Sequence, residues 1–130
     1  MPRGRGWRRG WKARAWAQSI SRFVEPCLLL LLHRGDSHGY DLLERLKEFG
    51  FADDTVDSSV VYRYLRAMED RGFVTSSWDT EGPGPPRRVY HITEEGKAAL
   101  NSWVEGIKEL KRELERFLAA HEPSKGGRNR

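Results

Sequence analysis

A single cysteine, Cys27, stands among 130 residues. One thiol excludes an internal disulfide framework and a cysteine-based metal cage, and it fits a reducing cytosol. Cys27 is expected to act as a small buried hydrophobe rather than as a redox centre. Long apolar runs are also missing. The longest, Cys27 to Leu32, is six residues, against the ~20 that a membrane helix needs. It is also too short and too far into the chain for a secretory core. No membrane partner is expected. The four histidines, His33, His38, His91 and His121, lack close metal-ligand spacing. His38 opens a helix and suits capping or packing better than ligation. There is no Gly-rich phosphate loop, no Ser/His/Asp motif context and no acid pair in a recognisable cleft. Neither enzyme chemistry nor a cofactor is therefore expected. No internal repeat of about 20–50 residues is visible.

The net charge of +4 conceals an uneven distribution. Residues 1–14 carry Arg3, Arg5, Arg8, Arg9, Lys12 and Arg14 and no acid, and residues 124–130 add Lys125, Arg128 and Arg130. Between them, residues 15–123 hold 14 basic and 19 acidic residues, a net −5. The basicity therefore sits in the tails. Nucleic acid is a live partner, although a basic pI alone does not prove it. The acid-free start superficially resembles an organelle transit peptide, but PRGRGWRRGWKAR is Gly/Arg-rich and cannot bury a core, which fits a flexible arm. We divide the chain into a basic arm (1–18), a body (19–93), a long helix (94–121) and a disordered tail (122–130). Arg3, Arg5, Arg8 and Arg9 suit either a minor groove or a solubility tail. Trp7, Trp11 and Trp16 suit either stacking on bases or covering an interface.

The body reads as three helices and a hairpin. The first helix spans about Ser21 to Arg34, with Pro26 near its start and Gly35 at its end. Cys27 and Leu28 to Leu32 are apolar on every side, which implies burial all round. Ser37 is expected to cap the second helix, with Asp41 in its first turn and Gly50 as its stop. Tyr40, Leu43, Leu46 and Phe49 recur at spacings of three, widened by Leu42. Asp57 caps the third helix, which runs to Arg71 with Gly72 as terminator. Val61, Leu65 and Met68 form its apolar stripe, while Ser59, Tyr62, Arg63 and Arg66 lie mostly on another face. FVTSSW and RVYHIT are strand-like, and TEGPGPPR between them is turn chemistry with a stiff, proline-rich tip.

Thr93 caps the last helix, with Glu94 and Glu95 in its first turn. Over about 94–120, Leu100, Trp103, Ile107, Leu110, Leu114 and Phe117 step by alternating threes and fours. Val104 and Leu118 broaden this heptad seam. A helix of roughly 40 Å outruns the small core beside it, so the seam is expected to pack partly on a second copy. The fold class that follows is mainly α with a small β-hairpin: a winged helix-turn-helix plus a long C-terminal dimerisation helix. In that architecture the third helix enters the major groove and the wing touches backbone or minor groove.

Three segments in register carry a resemblance to a known family: PCLLLLLHRGDSHGYDLLERL, SSVVYRYLRAMEDRGFV and PGPPRRVYHITEEGKAAL. Gly39-Tyr40, Tyr62-x-x-Leu65, Arg71-Gly72 and Thr93-Glu94-Glu95-Gly96 fall in the order and spacing of the PadR family of bacterial transcriptional regulators. Residues 22–118 resemble it, and the single C-terminal helix resembles its smaller size class. The resemblance implies a cytoplasmic, nucleoid-associated, effector-responsive repressor working as a homodimer on double-stranded DNA. Tyr62 matches the recognition-helix tyrosine, and Arg66 and Arg88 match basic positions of helix and wing. Val60 stands where the family commonly has a hydroxyl residue, and Arg63 where proline is frequent. The operator sequence therefore does not carry over.

The candidate DNA-binding residues are Ser58, Ser59, Tyr62, Arg63, Arg66, Arg87 and Arg88. The two serines sit at a helix N-terminus, whose N–H groups suit phosphate. The candidate dimer interface is Leu100, Trp103, Val104, Ile107, Leu110, Leu114, Phe117 and Leu118. Some relatives bind flat aromatic effectors in the dimer cavity, and Trp103 is the residue that would stack on such a ligand, although a bulky core residue fits its position better. A second class of function also fits, a winged-helix module that binds protein through its acidic body.

Overall fold

The structure, a computed structural model, describes residues 23–49 and 56–122. Helix α1 spans Val24–Arg34, with Glu25 in its first turn and His33 and Arg34 in its last, the charge order its dipole favours. Pro26 falls within the first turn, where its missing N–H leaves no bond unmade. Val24, Leu28, Leu29, Leu31 and Leu32 are fully buried, while Cys27 and Leu30 pack half-buried against them. Burial pushes the Cys27 thiol up to about 11, which keeps it protonated at neutral pH.

The next segment departs from the expectation. Ser37 caps nothing: with His38 it forms a short strand β1, paired with Tyr90 and Val89. Helix α2 then spans Gly39–Leu46, closed by a 3-10 turn at Lys47–Phe49. Its buried side is Gly39, Leu42 and Leu46. Tyr40 is 63% exposed, and Phe49 also faces solvent, so the stripe anchored on Tyr40 and Phe49 is corrected. Leu42 and Leu46 lie one turn apart on the core side, and Tyr40 lies two residues, about 200°, from Leu42. Gly50 falls outside the described residues, as do the basic arm, the start of the first helix at Ser21 and residues 123–130.

Helix α3 spans Ser58–Asp70. The Asp57 carboxylate accepts from the Val60 N–H at 3.1 Å and from the Ser59 hydroxyl at 2.8 Å. Val61, Leu65 and Met68 are fully buried, as their spacing predicts. Gly72, at φ +83°, turns the chain out of the helix into the hairpin. Strands β2 (Val74–Asp79) and β3 (Arg87–Ile92) pair antiparallel, from Val74 opposite Ile92 to Asp79 opposite Arg87. The sheet order is β1-β3-β2, so the hairpin is anchored on one edge by β1.

Helix α4 spans Glu94–His121, 28 residues, or about 42 Å. The Thr93 hydroxyl accepts from the Gly96 N–H at 3.0 Å and donates to the Gly72 carbonyl at 2.6 Å. The Thr93 N–H donates to the Phe73 carbonyl at 3.0 Å. Gly96 is the residue that permits this junction, since a Cβ there would lie 2.1 Å from the Phe73 carbonyl oxygen. Gly96 and Leu100 are the buried residues of α4. Beyond them the apolar seam leaves the body: Ile107 is 36% exposed, Leu114 52% and Phe117 68%. Among the described residues, no helix is long and apolar enough to cross a membrane.

Candidate nucleic-acid interface

The buried stripe of α3 fixes what its other side presents. Tyr62, Arg63 and Arg66 are exposed opposite Val61, Leu65 and Met68, and neither arginine has a hydrogen-bonding partner among the described residues. Ser58 and Ser59 form the exposed first turn. The Ser59 hydroxyl is engaged by Asp57, whose carboxyl is held below its usual range first by that bond and then by the Val60 N–H. A phosphate approaching this turn would meet the Asp57 charge.

Arg87 and Arg88 begin β3, opposite Asp79 and Trp78. Between this wing, α3 and the start of α2 lies a groove of about 460 Å³, lined among others by Tyr40, Tyr62, Arg66, Trp78 and Arg88. The structure thus brings Tyr62, Arg66, Arg87 and Arg88 to one groove. It adds two aromatics that sequence reasoning missed, Tyr40 and Trp78, the latter 62% exposed. The threefold spacing of the second helix puts Tyr40 in its apolar stripe. Trp78 carried no signal beyond a strand-like neighbourhood. The alternation of β2, with Val74 buried and Ser76 and Trp78 turned the same way, places it.

Gly39 sets how close the Tyr62 ring comes to α2: a Cβ at position 39 would lie 2.5 Å from ring carbon Cε1. His38 does not cap α2 with its side chain. Its Nε2 lies 3.2 Å from Asp79 Oδ2 and its Nδ1 3.5 Å from Asp41 Oδ2, so it bridges the hairpin and α2. The Asp79 carboxyl is held below its usual range by the Glu81 N–H first and by His38 next.

A second groove, of about 930 Å³, lies on another side, between α1, the end of α3 and α4. Phe23, Tyr64, Phe73, Trp103, Ile107 and Leu110 are among its walls. At its base the buried Glu25 carboxylate accepts from Arg71 Nη2 at 2.5 Å and from the Trp103 indole N–H at 3.1 Å. Arg71 also lies 4.8 Å over the Phe73 ring. It therefore serves this junction and does not join Arg63 and Arg66. Trp103 is half-buried against the body's own core. Leu100, expected at the dimer seam, is 8% exposed and belongs to that core as well. Val104, Ile107, Leu110, Leu114, Phe117 and Leu118 keep their exposed stripe.

A helix-turn-helix whose third helix and adjoining hairpin share one basic, aromatic face is a winged helix. The chain belongs to the PadR-like family of transcriptional regulators: the family pattern matches residues 28–102. The "Negative transcriptional regulator PadR" of Bacillus subtilis is 29% identical over 83 residues, covering 64% of this chain and 46% of that protein. The crystal structure of Bacillus subtilis PadR in complex with operator DNA superposes with a TM-score of 0.56, covering 64% of this chain and 47% of that one. A PadR-like transcriptional regulator from Bacillus cereus, 24% identical, shares the fold with a TM-score of 0.69 over 78% of this chain and 96% of that one. The chain spans less than half the length of the curated relatives it matches.

Proposed function

We propose that this regulator is a repressor that binds double-stranded DNA as a homodimer, on a near-palindromic operator, and responds to a small aromatic effector. One observation carries the DNA reading: Tyr62 and Arg66 of α3 and Arg87 and Arg88 of the wing face one groove together with exposed aromatics. Arginines give both phosphate contacts and base readout. Ser58, Ser59 and Arg63 extend the same surface along α3. The crystal structure of the Bacillus subtilis relative with operator DNA supports the reading. Homodimerisation is supported by the apolar stripe from Val104 to Leu118, which its own body leaves exposed. A two-fold dimer presents two recognition helices to one DNA face, with half-sites about 10 bp apart or a multiple of that. Such a protein works in the bacterial cytoplasm at the nucleoid, as a regulator without enzyme activity. The basic arm and the tail flank this body.

The test is a gel-shift titration across salt concentrations. Specific binding should weaken steeply with salt through counterion release and survive competitor DNA. The net −5 of residues 15–123 favours a second reading, a protein-binding module. Binding that is weak, non-specific and removed by competitor would favour it. For the effector, Trp103 lines the larger groove beside Phe73 and Ile107. A planar ligand stacked there should quench indole fluorescence and change DNA affinity together, with Trp103→Phe as the control among five tryptophans. Quenching with unchanged DNA affinity would deny the ligand an effector role, because coupling is reciprocal.

A further inference from the structure

Arg88 does not hang in solvent. Its Nε–H donates to the Ser76 hydroxyl at 2.9 Å. That hydroxyl in turn donates to Glu69 Oε2, also at 2.9 Å. The second carboxylate oxygen of Glu69 lies 4.0 Å from Arg88 Nη2. The guanidinium carbon sits 5.4 Å from the centre of the Trp78 ring. The register explains the convergence. Trp78 is directly opposite Arg88 across the hairpin, and Ser76 is two residues from Trp78, so all three side chains leave the same face. Glu69 follows Arg66 by three residues on α3 and so sits one turn further along the helix.

We infer that Glu69, Ser76 and Trp78 form a clamp that orients Arg88 towards a DNA phosphate and locks the wing to the recognition helix. The inference rests on the DNA-binding reading above; it brings in Glu69 and Ser76, which that reading leaves unused, and gives Trp78 a positioning role. An arginine side chain has many rotamers, and ordering them on binding costs affinity. Here the anchoring uses Nε, while the terminal amino groups keep the paired donors that fit a phosphate. The indole face holds the guanidinium from one side, a contact compatible with simultaneous hydrogen bonding at its edge. Glu69 is the diagnostic member. A carboxylate beside a DNA-binding face ordinarily repels the backbone, so its removal should tighten binding. A positioning carboxylate gives the opposite sign when truncated. Its amide isostere retains an oxygen that can accept from Ser76.

The experiment uses the full chain and a 30-bp duplex carrying the site that the parent protein selects from a random-sequence library. Affinities at several salt concentrations are measured for Arg88→Ala, Glu69→Ala, Glu69→Gln, Trp78→Ala and Trp78→Leu, and for each of the last four combined with Arg88→Ala. Glu69→Ala and both Trp78 variants are expected to weaken binding about threefold per half-site, about tenfold for a dimer. They should also lower the salt slope towards that of Arg88→Ala. Glu69→Gln should bind no more weakly than the parent. In the Arg88→Ala background all four should lose nothing further. Tightening by both Glu69 variants, or losses that add in full onto Arg88→Ala, would overturn the clamp while leaving DNA binding intact. An Arg88→Ala variant with parental affinity and slope would instead remove the wing from the DNA-binding surface, and the clamp with it. Melting curves accompany each variant. Trp78 is exposed, and Glu69→Gln preserves shape, so two independent arms survive if one variant folds poorly.

Discussion

Two glycines of this chain meet the same added methyl in opposite ways, and Gly→Ala at each should separate stability from DNA binding. At Gly96 the new Cβ would lie 2.1 Å from the Phe73 carbonyl oxygen and 2.7 Å from Ile92 Cγ1. The carbonyl is backbone and already accepts from the Thr93 N–H. The first turn of α4 must therefore lift away, straining the Thr93 cap. Overpacking costs about 1–3 kcal/mol and a weakened cap about 1 kcal/mol more. For a domain of about this size, the sum lowers the melting temperature by on the order of 15 °C. At Gly39 the obstacle is the Tyr62 ring, with Cε1 at 2.5 Å and the hydroxyl at 2.9 Å. That is the far end of a flexible side chain on the exposed face of α3. The ring can swing by roughly 1 Å to restore van der Waals distance. Alanine also recovers up to about 1 kcal/mol of helix propensity and chain entropy. Gly39→Ala should thus melt within a few degrees of the parent, or above it, and yet bind operator about fivefold more weakly per half-site, the equivalent of about 1 kcal/mol. Thermal melts at one fixed protein concentration, paired with operator titrations, decide the matter. A Gly96→Ala protein as stable as the parent would refute the packing argument. A Gly39→Ala protein with full affinity would show that Tyr62 placement does not matter for DNA.

Three further outcomes are expected. Leu110→Glu with Leu114→Glu should give a folded monomer in sedimentation, because both side chains are exposed in the single chain while a paired seam would bury unpartnered charge; an intact dimer would reject the seam. Arg63→Ala should flatten the preference among single-base operator variants by about 1–3 kcal/mol, whereas Arg88→Ala should weaken all sequences alike; the reverse pattern would exchange their roles. The Asp57 carboxyl is held below its ordinary value of 3.8 by its bonds to Ser59 and Val60, so its contribution is fully present above that value and is lost as pH falls through the lower, folded one. The stability gap between parent and Asp57→Ala, followed by urea melts, should therefore persist at pH 5 and close below pH 3.8; a gap that widens on acidification would contradict the cap.

What was legible in the chain was what local chemistry decides. Asp57 and Thr93 cap helices because a short polar side chain reaches back to an N–H three residues on. The stripe Val61, Leu65 and Met68 has thirteen residues of helix in which to declare its period. Helix α2 has eight, and over so short a span Tyr40 fits one periodic reading and Leu42 another. What decided between them was the approach of α3 at Gly39, a tertiary fact. Strand β1 was invisible for a related reason: two residues carry no alternation, and their partners lie some fifty positions away. The Glu25 junction joins residues separated by 46 and 78 positions. A glutamate in a first helical turn already has a local explanation in the helix dipole. Arg71 is near Arg63 and Arg66 in sequence but not in place. It follows the last turn of α3, where the chain has already swung towards α1 and α4.

The root of α4 is fixed to the body twice, and this has a mechanical consequence for operator choice. Thr93 and Gly96 bind it to the turn after α3. Trp103 binds it to α1 through Glu25, the same carboxylate that holds Arg71. Past Trp103 the helix continues for 18 residues, about 27 Å, with its apolar seam exposed. If that distal stretch makes the dimer, each recognition helix is carried on a rigid lever, and the seam's rotational phase sets the separation of the two. Inserting one alanine after Glu105, where the neighbouring Gly106 faces open space, keeps the helix but rotates everything beyond it by about 100°. The seam from Ile107 to Leu118 stays intact within itself, so the variant should still sediment as a dimer. Its two recognition helices should no longer match half-sites spaced for the parent. Operator affinity should then fall towards non-specific binding, a loss of about a thousandfold or more. Inserting seven residues at the same point returns the phase to within about 20° but moves the seam outward by about 10 Å. It should select an operator with wider spacing from a random-sequence library. A one-residue insertion that binds the parental operator undiminished would show that the root of α4 yields, and that spacing is set elsewhere.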